Sequence, residues 1–376
     1  MDKKIGLITI YSVPNFGSVL QAFATQTLLE NIGFECNIIN YDRNNPWYFS
    51  HGNSKPSLKS IIAQTLNIKA KHRKGKKLER FRRSFLHLTK RYKSLDELRA
   101  EIWDNYDAFI VGSDQVWNTR FSYGDSVYLL SFVPNEKPKI SVSSSFALKR
   151  LPDEYIKKFK HYLSTFKAIS VRENYGKEII EHQLGIPLDV QILLDPTLML
   201  SKSEWLAAIP RSKFKKKENY ILLYMLDYAF KPQPYIFEVA EYFQKQLGYK
   251  IYVLDGEISH EYKNILKYKN IINSSIPDFI DYFNNADLVL TSSFHGTAFA
   301  LNFGRPLISI VPNGGDDRQT SLLEELKLSK LAIKMGTNIS DISYKYDIIA
   351  EQLEIDKLRE KSIAWIKKHL IYYVKY

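Results

Sequence analysis

KIGLITIYSVPNFGSVLQAFATQTLLENIGFECNIINYD, residues 4–42, decides the fold. KIGLITIY is an apolar run led by isoleucine and short enough for a buried strand. In SVLQAFATQTLLENIG, residues Leu20, Phe23, Ala24, Leu28 and Ile32 recur close to helical spacing, and Gly33 stands where a helix would stop. FECNIINYD then returns to strand. Strand, helix and strand in so short a span predict a βαβ unit, and with it a parallel, doubly wound sheet.

The alternation continues outward. YDAFIVG (106–112), KISVSSS (139–145), KAISV (167–171) and VQILLD (190–195) read as strands, with the helix ENYGKEIIEHQLG between the last two. Over 201–219 the composition turns polar and basic and includes a proline, before a fresh strand, YILLYML. The domain boundary is placed there. The second half alternates again: YIFEVAEYFQKQLG, KIYVLD, IPDFIDYFNNA, DLVLT, GTAFALNFG and PLISIV. The predicted fold is α/β, with two Rossmann-like domains, 1–205 and 215–340, whose parallel sheets face a central cleft. A basic insertion occupies about 45–100, and a helical segment, 344–376, is expected to fold back across the first domain.

Bulk properties agree with two domains. The chain has 376 residues, 45% hydrophobic and 25% charged, too long for one hydrophobic core of usual size. No apolar run approaches the roughly 20 residues that span a bilayer. The N-terminus lacks the uninterrupted apolar stretch of a signal peptide, so a cytoplasmic location is expected. A single cysteine, Cys36, excludes an internal disulfide framework and a multi-thiolate metal site. The net charge of +12 favours anionic partners, and much of it lies in KAKHRKGKKLERFRRSF at 69–85. That stretch is either a solvated basic helix or loop, or a surface drawn to the anionic lipid of the cell membrane's inner face. No aromatic-interleaved nucleic-acid motif accompanies it, so nucleic acid is not an expected partner.

Ligands of open parallel sheets bind beyond the carboxyl ends of the strands, and unusual polar residues gather at those positions here. Asn15, Gly17 and Ser18 follow the first strand. Ser113, Asp114 and Gln115 follow AFIVG; Arg172 and Glu173 follow AISV; Asp195 follows QILL. Each alone has an ordinary reading as a cap or turn residue. After DLVLT comes SSFHG. A helix beginning near Gly296 and capped by Ser292 or Ser293 would direct the amides of Gly296, Thr297 and Ala298 at an anion, with Gly296 too small to block it. His295 beside it would donate a hydrogen bond or exchange a proton; otherwise it bonds backbone at a domain interface. Arg318 and Ser321 precede a further helix, and a guanidinium suits a carboxylate or phosphate.

NFGSVLQAFA, GSDQVWN (112–118), SVRE (170–173), DPTLML (195–200), SSFHGTAFAL (292–301) and DRQTSLL (317–323) occur together in this order. The combination resembles the polysaccharide pyruvyl transferase family, over about residues 5–330. Members are similar in fold to two-domain GT-B glycosyltransferases, and they transfer an enolpyruvyl-derived group from phosphoenolpyruvate to a sugar, leaving a pyruvate ketal. The resemblance implies that Arg172 and His295 hold or activate that donor, with Arg318 a third anion ligand. Asp114 is the candidate base or sugar-hydroxyl anchor and His295 the candidate acid, roles that are interchangeable at this level. Asn15, Gly17, Ser18, Ser113, Gln115, Ser293, Phe294, Gly296, Thr297 and Ser321 are candidate binding residues, and Asp195 either binds acceptor or fixes the chain.

The implied acceptor is a glycan, such as a precursor of capsule or exopolysaccharide or a lipid-linked oligosaccharide. Ketal formation needs no redox cofactor, and no metal-ligand spacing stands out, so neither cofactor nor metal is expected. Residues 45–100 align with nothing in the family. Two competing readings are a nucleotide-sugar glycosyltransferase using the same cleft and a non-catalytic glycan-binding protein.

Overall fold

The computed structural model describes residues 3–43, 48, 73–227, 230–254, 256–271, 273–314 and 317–374. Of the basic insertion, residues 45–47 and 49–72 lie outside the described residues. Two units divide the chain. The first takes the described residues of 1–68, 79–199 and 358–376, and the second those of 69–78 and 200–357.

In the first unit, β1 (Lys4–Ile8), β2 (Glu35–Tyr41), β3 (Leu88–Tyr92), β4 (Ala108–Val111) and β5 (Lys139–Ser141) form a parallel sheet in the order β3-β2-β1-β4-β5. β6 (Ser170–Val171) and β7 (Gln191–Ile192) pair separately, and isolated bridges from Ile140 to Ala168 and from Ser144 to Val171 join the chain around β6 to β5 and the chain beyond it. The order turns back between β1 and β4, which makes the loops after those two strands the ones that diverge.

The helix after β1 runs Phe16–Asn31, two residues earlier than the sequence suggested, because the Asn15 side chain caps it by accepting from Gly17 N at 2.8 Å. It is buried on nearly every side and packs on the short helix Pro196–Met199, so its apolar residues do not form a narrow stripe. Gly33, at φ +97°, ends it in the left-handed region.

The second unit repeats the plan. β8 (Tyr220–Tyr224), β9 (Lys250–Leu254), β10 (Tyr268–Ile271), β11 (Leu288–Thr291), β12 (Leu307–Val311) and β13 (Ala332–Lys334) are parallel in the order β10-β9-β8-β11-β12-β13. Its turning point lies between β8 and β11. Each unit has its own core, around Phe109, Trp117 and Phe146 in the first and Leu223, Phe237 and Ile308 in the second.

The division between units differs from the predicted boundaries. After the short excursion of 69–78 into the second unit, the chain leaves the first unit again at Met199/Leu200 rather than within 205–215. The last helix, Ile348–Val374, is divided at Lys357/Leu358. From Leu358 onward it packs with the first unit, where Arg359 Nε donates to Leu198 O at 2.9 Å and Leu194 N donates to Ser362 Oγ at 3.2 Å.

The basic stretch is helical over 73–85. Leu78 and Phe81 are buried, and Phe81 stacks on Phe85 with ring centroids 4.5 Å apart. Arg73, Lys76, Lys77, Arg80 and Arg83 lie exposed. Among the described residues, no helix is long and apolar enough to cross a membrane.

Candidate active site

At the turning point of the first sheet, the chain beyond β1 is stitched to the chain beyond β4. Thr9 Oγ1 donates to Ser113 O at 2.8 Å, and the buried Gln21 amide donates to Thr9 Oγ1 at 3.0 Å and to Ile10 O at 2.8 Å. Gly112 permits that approach, since a Cβ there would lie 2.9 Å from Thr9 Cβ. Asp114 follows with φ +73°, a left-handed backbone that costs a non-glycine residue about 1 kcal/mol. Its carboxylate holds it there: Oδ2 accepts from Ser18 Oγ at 2.6 Å and Oδ1 from Gln115 N at 2.9 Å. Its carbonyl accepts from Ser145 N and Val116 N.

Arg172 projects from the end of β6 and is only 4% exposed. Its guanidinium faces three carboxylates, Asp195 at 2.6 Å, Asp114 at 3.6 Å and Glu173 at 3.8 Å. Asp195 is fully engaged, accepting from Arg172 and Ser113 Oγ on Oδ2 and from Thr197 N and Oγ1 on Oδ1. These bonds tie the chain beyond β7 to Arg172 and Ser113. Glu173 Oε1 accepts from Phe146 N and Ala147 N, pinning the chain beyond β5.

That chain is the serine run read as strand 139–145. The strand ends at Ser141, and Ser143 turns left-handed at φ +52°. Serine hydroxyls add to the backbone bonds there: Ser141 donates to Ser170 O, Ser143 to Leu194 O and Ser144 to Gly112 O.

The second turning point is built alike from different parts. Thr291 Oγ1 donates to Tyr224 O at 2.6 Å, joining β11 to β8. Ser292 Oγ accepts from Leu226 N at 3.0 Å and donates to Leu226 O at 2.9 Å. The next helix is Phe294–Asn302, capped by Ser293, so it begins two residues before the expected start at Gly296.

That shift corrects two expectations. Gly296 N is taken by Ser293 Oγ at 3.3 Å and Thr297 N by Ser293 O at 2.9 Å, so those amides are not anion donors. Nor does Gly296 clear space for a ligand. A Cβ there would lie 2.2 Å from Thr291 Oγ1 and 2.9 Å from Tyr224 Cδ1, so the glycine lets the helix pack on the sheet. The Thr297 hydroxyl likewise turns inward, 2.8 Å from Ser309 Oγ.

His295 stands in the first turn of this helix, 7% exposed, with the Phe294 ring edge-on at 5.2 Å between centroids. Arg318 and Ser321 are buried on the following helix, Asp317–Glu325.

A family model described as polysaccharide pyruvyl transferase matches residues 15–314. The chain belongs to the polysaccharide pyruvyl transferase family. This is a family of enzymes, and a transferase of this kind acts on a glycan acceptor. No curated protein sequence gives a significant match. Among solved structures, Staphylococcus aureus MnaA with UDP is similar at a TM-score of 0.59 and 13% identity, covering 99% of this chain and 97% of that one. The UDP-GlcNAc 2-epimerase of Methanocaldococcus jannaschii gives 0.54 and 15%, covering 99% and 100%. At such identities the likeness concerns fold alone, an α/β architecture of the GT-B kind.

Within the first unit of this pyruvyl transferase family member, Ser18, Ser113, Asp114, Arg172 and Asp195 come into one hydrogen-bonded cluster. Asn15 serves as a helix cap, Gly17 is the residue whose amide is capped, and Gln115 accepts from Asn118 Nδ2 at 2.7 Å. Within the second unit, Ser293, Phe294, His295, Gly296 and Thr297 share one helix start. Arg318 and Ser321 lie beyond the residues matched by the family model. Sequence reasoning missed Thr9, Thr291, Ser309 and Gln319, whose only signal is a polar residue inside an apolar run or helix. Among the described residues, no three His, Cys, Asp or Glu side chains are grouped to hold a metal ion.

Proposed function

We propose that the chain forms a pyruvate ketal on a glycan, with phosphoenolpyruvate as donor and inorganic phosphate as by-product. One sugar hydroxyl adds across the enol double bond. Its oxygen joins the phosphate-bearing carbon, and a proton goes to the methylene carbon, which becomes a methyl group. The carbon–oxygen bond to phosphate then breaks, phosphate leaves with the electron pair, and a second hydroxyl closes the ketal. The second hydroxyl's proton ends on phosphate or in solvent.

His295 protonates the departing phosphate, and Arg318 pairs with the donor's negative charge. Asp114 anchors the attacking hydroxyl or receives its proton. Arg172 takes a different part from the one expected of it. Matched by three carboxylates, its guanidinium is poorly placed to attract an anion, and its part is to hold Asp114 in its left-handed turn. No redox cofactor or metal enters these steps.

The observation that carries this reading is the family match over 15–314 together with an imidazole in the first turn of the helix at the second sheet's turning point. A lipid-linked acceptor, met at the inner face of the cell membrane, is favoured by the exposed cationic side of helix 73–85. Incubation with phosphoenolpyruvate and galactose- or mannose-bearing acceptors tests the reading. Phosphate release with a pyruvyl mass on the acceptor supports it. Tight binding of a uridine nucleotide with no response to phosphoenolpyruvate would favour the glycosyltransferase reading instead.

A further inference from the structure

Gln319 lies between Arg318 and Thr320 on the helix Asp317–Glu325 and is fully buried. Its Nε2 donates to Ser309 Oγ at 2.7 Å and contacts Thr297 Oγ1 at 3.4 Å, while the two hydroxyls lie 2.8 Å apart. This triangle joins three elements: the helix whose first turn holds His295, strand β12, and the helix that carries Arg318. Thr297 is two residues past His295, and Gln319 is the immediate neighbour of Arg318.

The other end of the amide, Oε1, is buried with no hydrogen-bond partner among the described residues. A buried carbonyl left unmatched costs free energy, and a methionine of the same length would fill the space without that cost. Position 319 is therefore not what packing alone would select. What the amide supplies is direction. Two hydrogen bonds with fixed geometry set one helix against the other, where apolar contact would tolerate sliding.

We propose that Gln319 is a positioning residue that holds Arg318 in register with His295 for the donor's phosphate. This rests on the reading that His295 and Arg318 handle phosphoenolpyruvate. The test compares wild type, Gln319→Met, Gln319→Glu and His295→Ala in steady-state kinetics and thermal melting. Gln319→Met is expected to melt within a few degrees of wild type, or above it, while KM for phosphoenolpyruvate rises about tenfold and kcat changes less.

Gln319→Glu keeps the length and, with its buried carboxyl protonated, one of the two donated bonds, so it should restore part of the affinity. It should then lose affinity as alkali ionises it, a limb that wild type lacks. A folded Gln319→Met with unchanged KM, beside a His295→Ala variant that has lost turnover, overturns the positioning role alone. Should Gln319→Met fail to fold, Gln319→Glu without the alkaline limb overturns it equally. Undiminished turnover in His295→Ala instead brings down the donor reading, and the inference with it.

Discussion

Both sheets turn back between their two central strands, and at both turns a threonine hydroxyl reaches a backbone carbonyl of the other strand's chain. Thr9 reaches Ser113 O at 2.8 Å and Thr291 reaches Tyr224 O at 2.6 Å. Beside each sits a glycine with no room for a Cβ, Gly112 against Thr9 and Gly296 against Thr291. Beyond that shared frame the two rims diverge. The first is locked by charge, with Arg172 among Asp195, Asp114 and Glu173. The second is held by hydroxyls and an amide, Ser292, Ser293, Thr297, Ser309 and Gln319, with His295 in its first helical turn. An ionic lock fixes shape at the first rim and a neutral scaffold fixes it at the second, where the proposed function puts the donor chemistry.

The contrast is broken most directly by exchanging readouts. His295→Ala should lower turnover by about 10²–10⁴-fold, the range of a lost general acid, with little change in urea midpoint. Arg172→Met should do the reverse first. It leaves three buried carboxylates without their cation and should cost about 3–5 kcal/mol in urea denaturation at pH 7. A deficit of only about 0–1 kcal/mol, the range of an exposed ion pair, would contradict the ionic lock.

The paired glycines should differ in tolerance. Gly296→Ala puts a Cβ 2.2 Å from Thr291 Oγ1, and Gly112→Ala puts one 2.9 Å from Thr9 Cβ. Overpacking of this kind costs about 1–3 kcal/mol, and the closer contact should be the worse. Thermal melts that place Gly112→Ala below Gly296→Ala would reverse the ranking.

The smallest effect belongs to Lys139, at the start of β5. It is buried, bonded to Asn135 Oδ1 at 3.1 Å and Thr165 Oγ1 at 3.2 Å, and burial lowers its pKa to about 8. Between that value and the ordinary lysine value the unfolded chain holds the extra proton, so wild type gains stability as pH rises. Lys139→Met should be more stable than wild type by about 1–2 kcal/mol at pH 7 and lose that margin by about pH 10. A margin constant in pH would mean the ammonium is not strained by burial.

Much of this was legible in the sequence because central strands are buried on both faces and read as unbroken apolar runs, as in β4 (AFIV) and β11 (LVLT). β3, β10 and β13 went unread. All three are sheet edges, and LTKRY, YKNI and AIK are half-exposed and carry lysine or arginine, as edges do. At the candidate site, positions after strands were legible but side-chain direction was not. Nothing in SVRE tells that Arg172 meets Asp195 and Asp114 as well as its neighbour Glu173. Nor does FHG tell that the glycine's bare face turns to the sheet rather than to a ligand.

In the proposed function the second rim, through His295, handles an enol phosphate. Phosphate release from phosphoenolpyruvate, coupled to pyruvyl gain on a diol-bearing glycan, tests it most directly when wild type and folded His295→Ala are measured together. Wild type should release one phosphate per ketal formed, and His295→Ala should fall by at least about 100-fold. Equal rates in the two proteins, or phosphate release with no gain on the glycan, would contradict it.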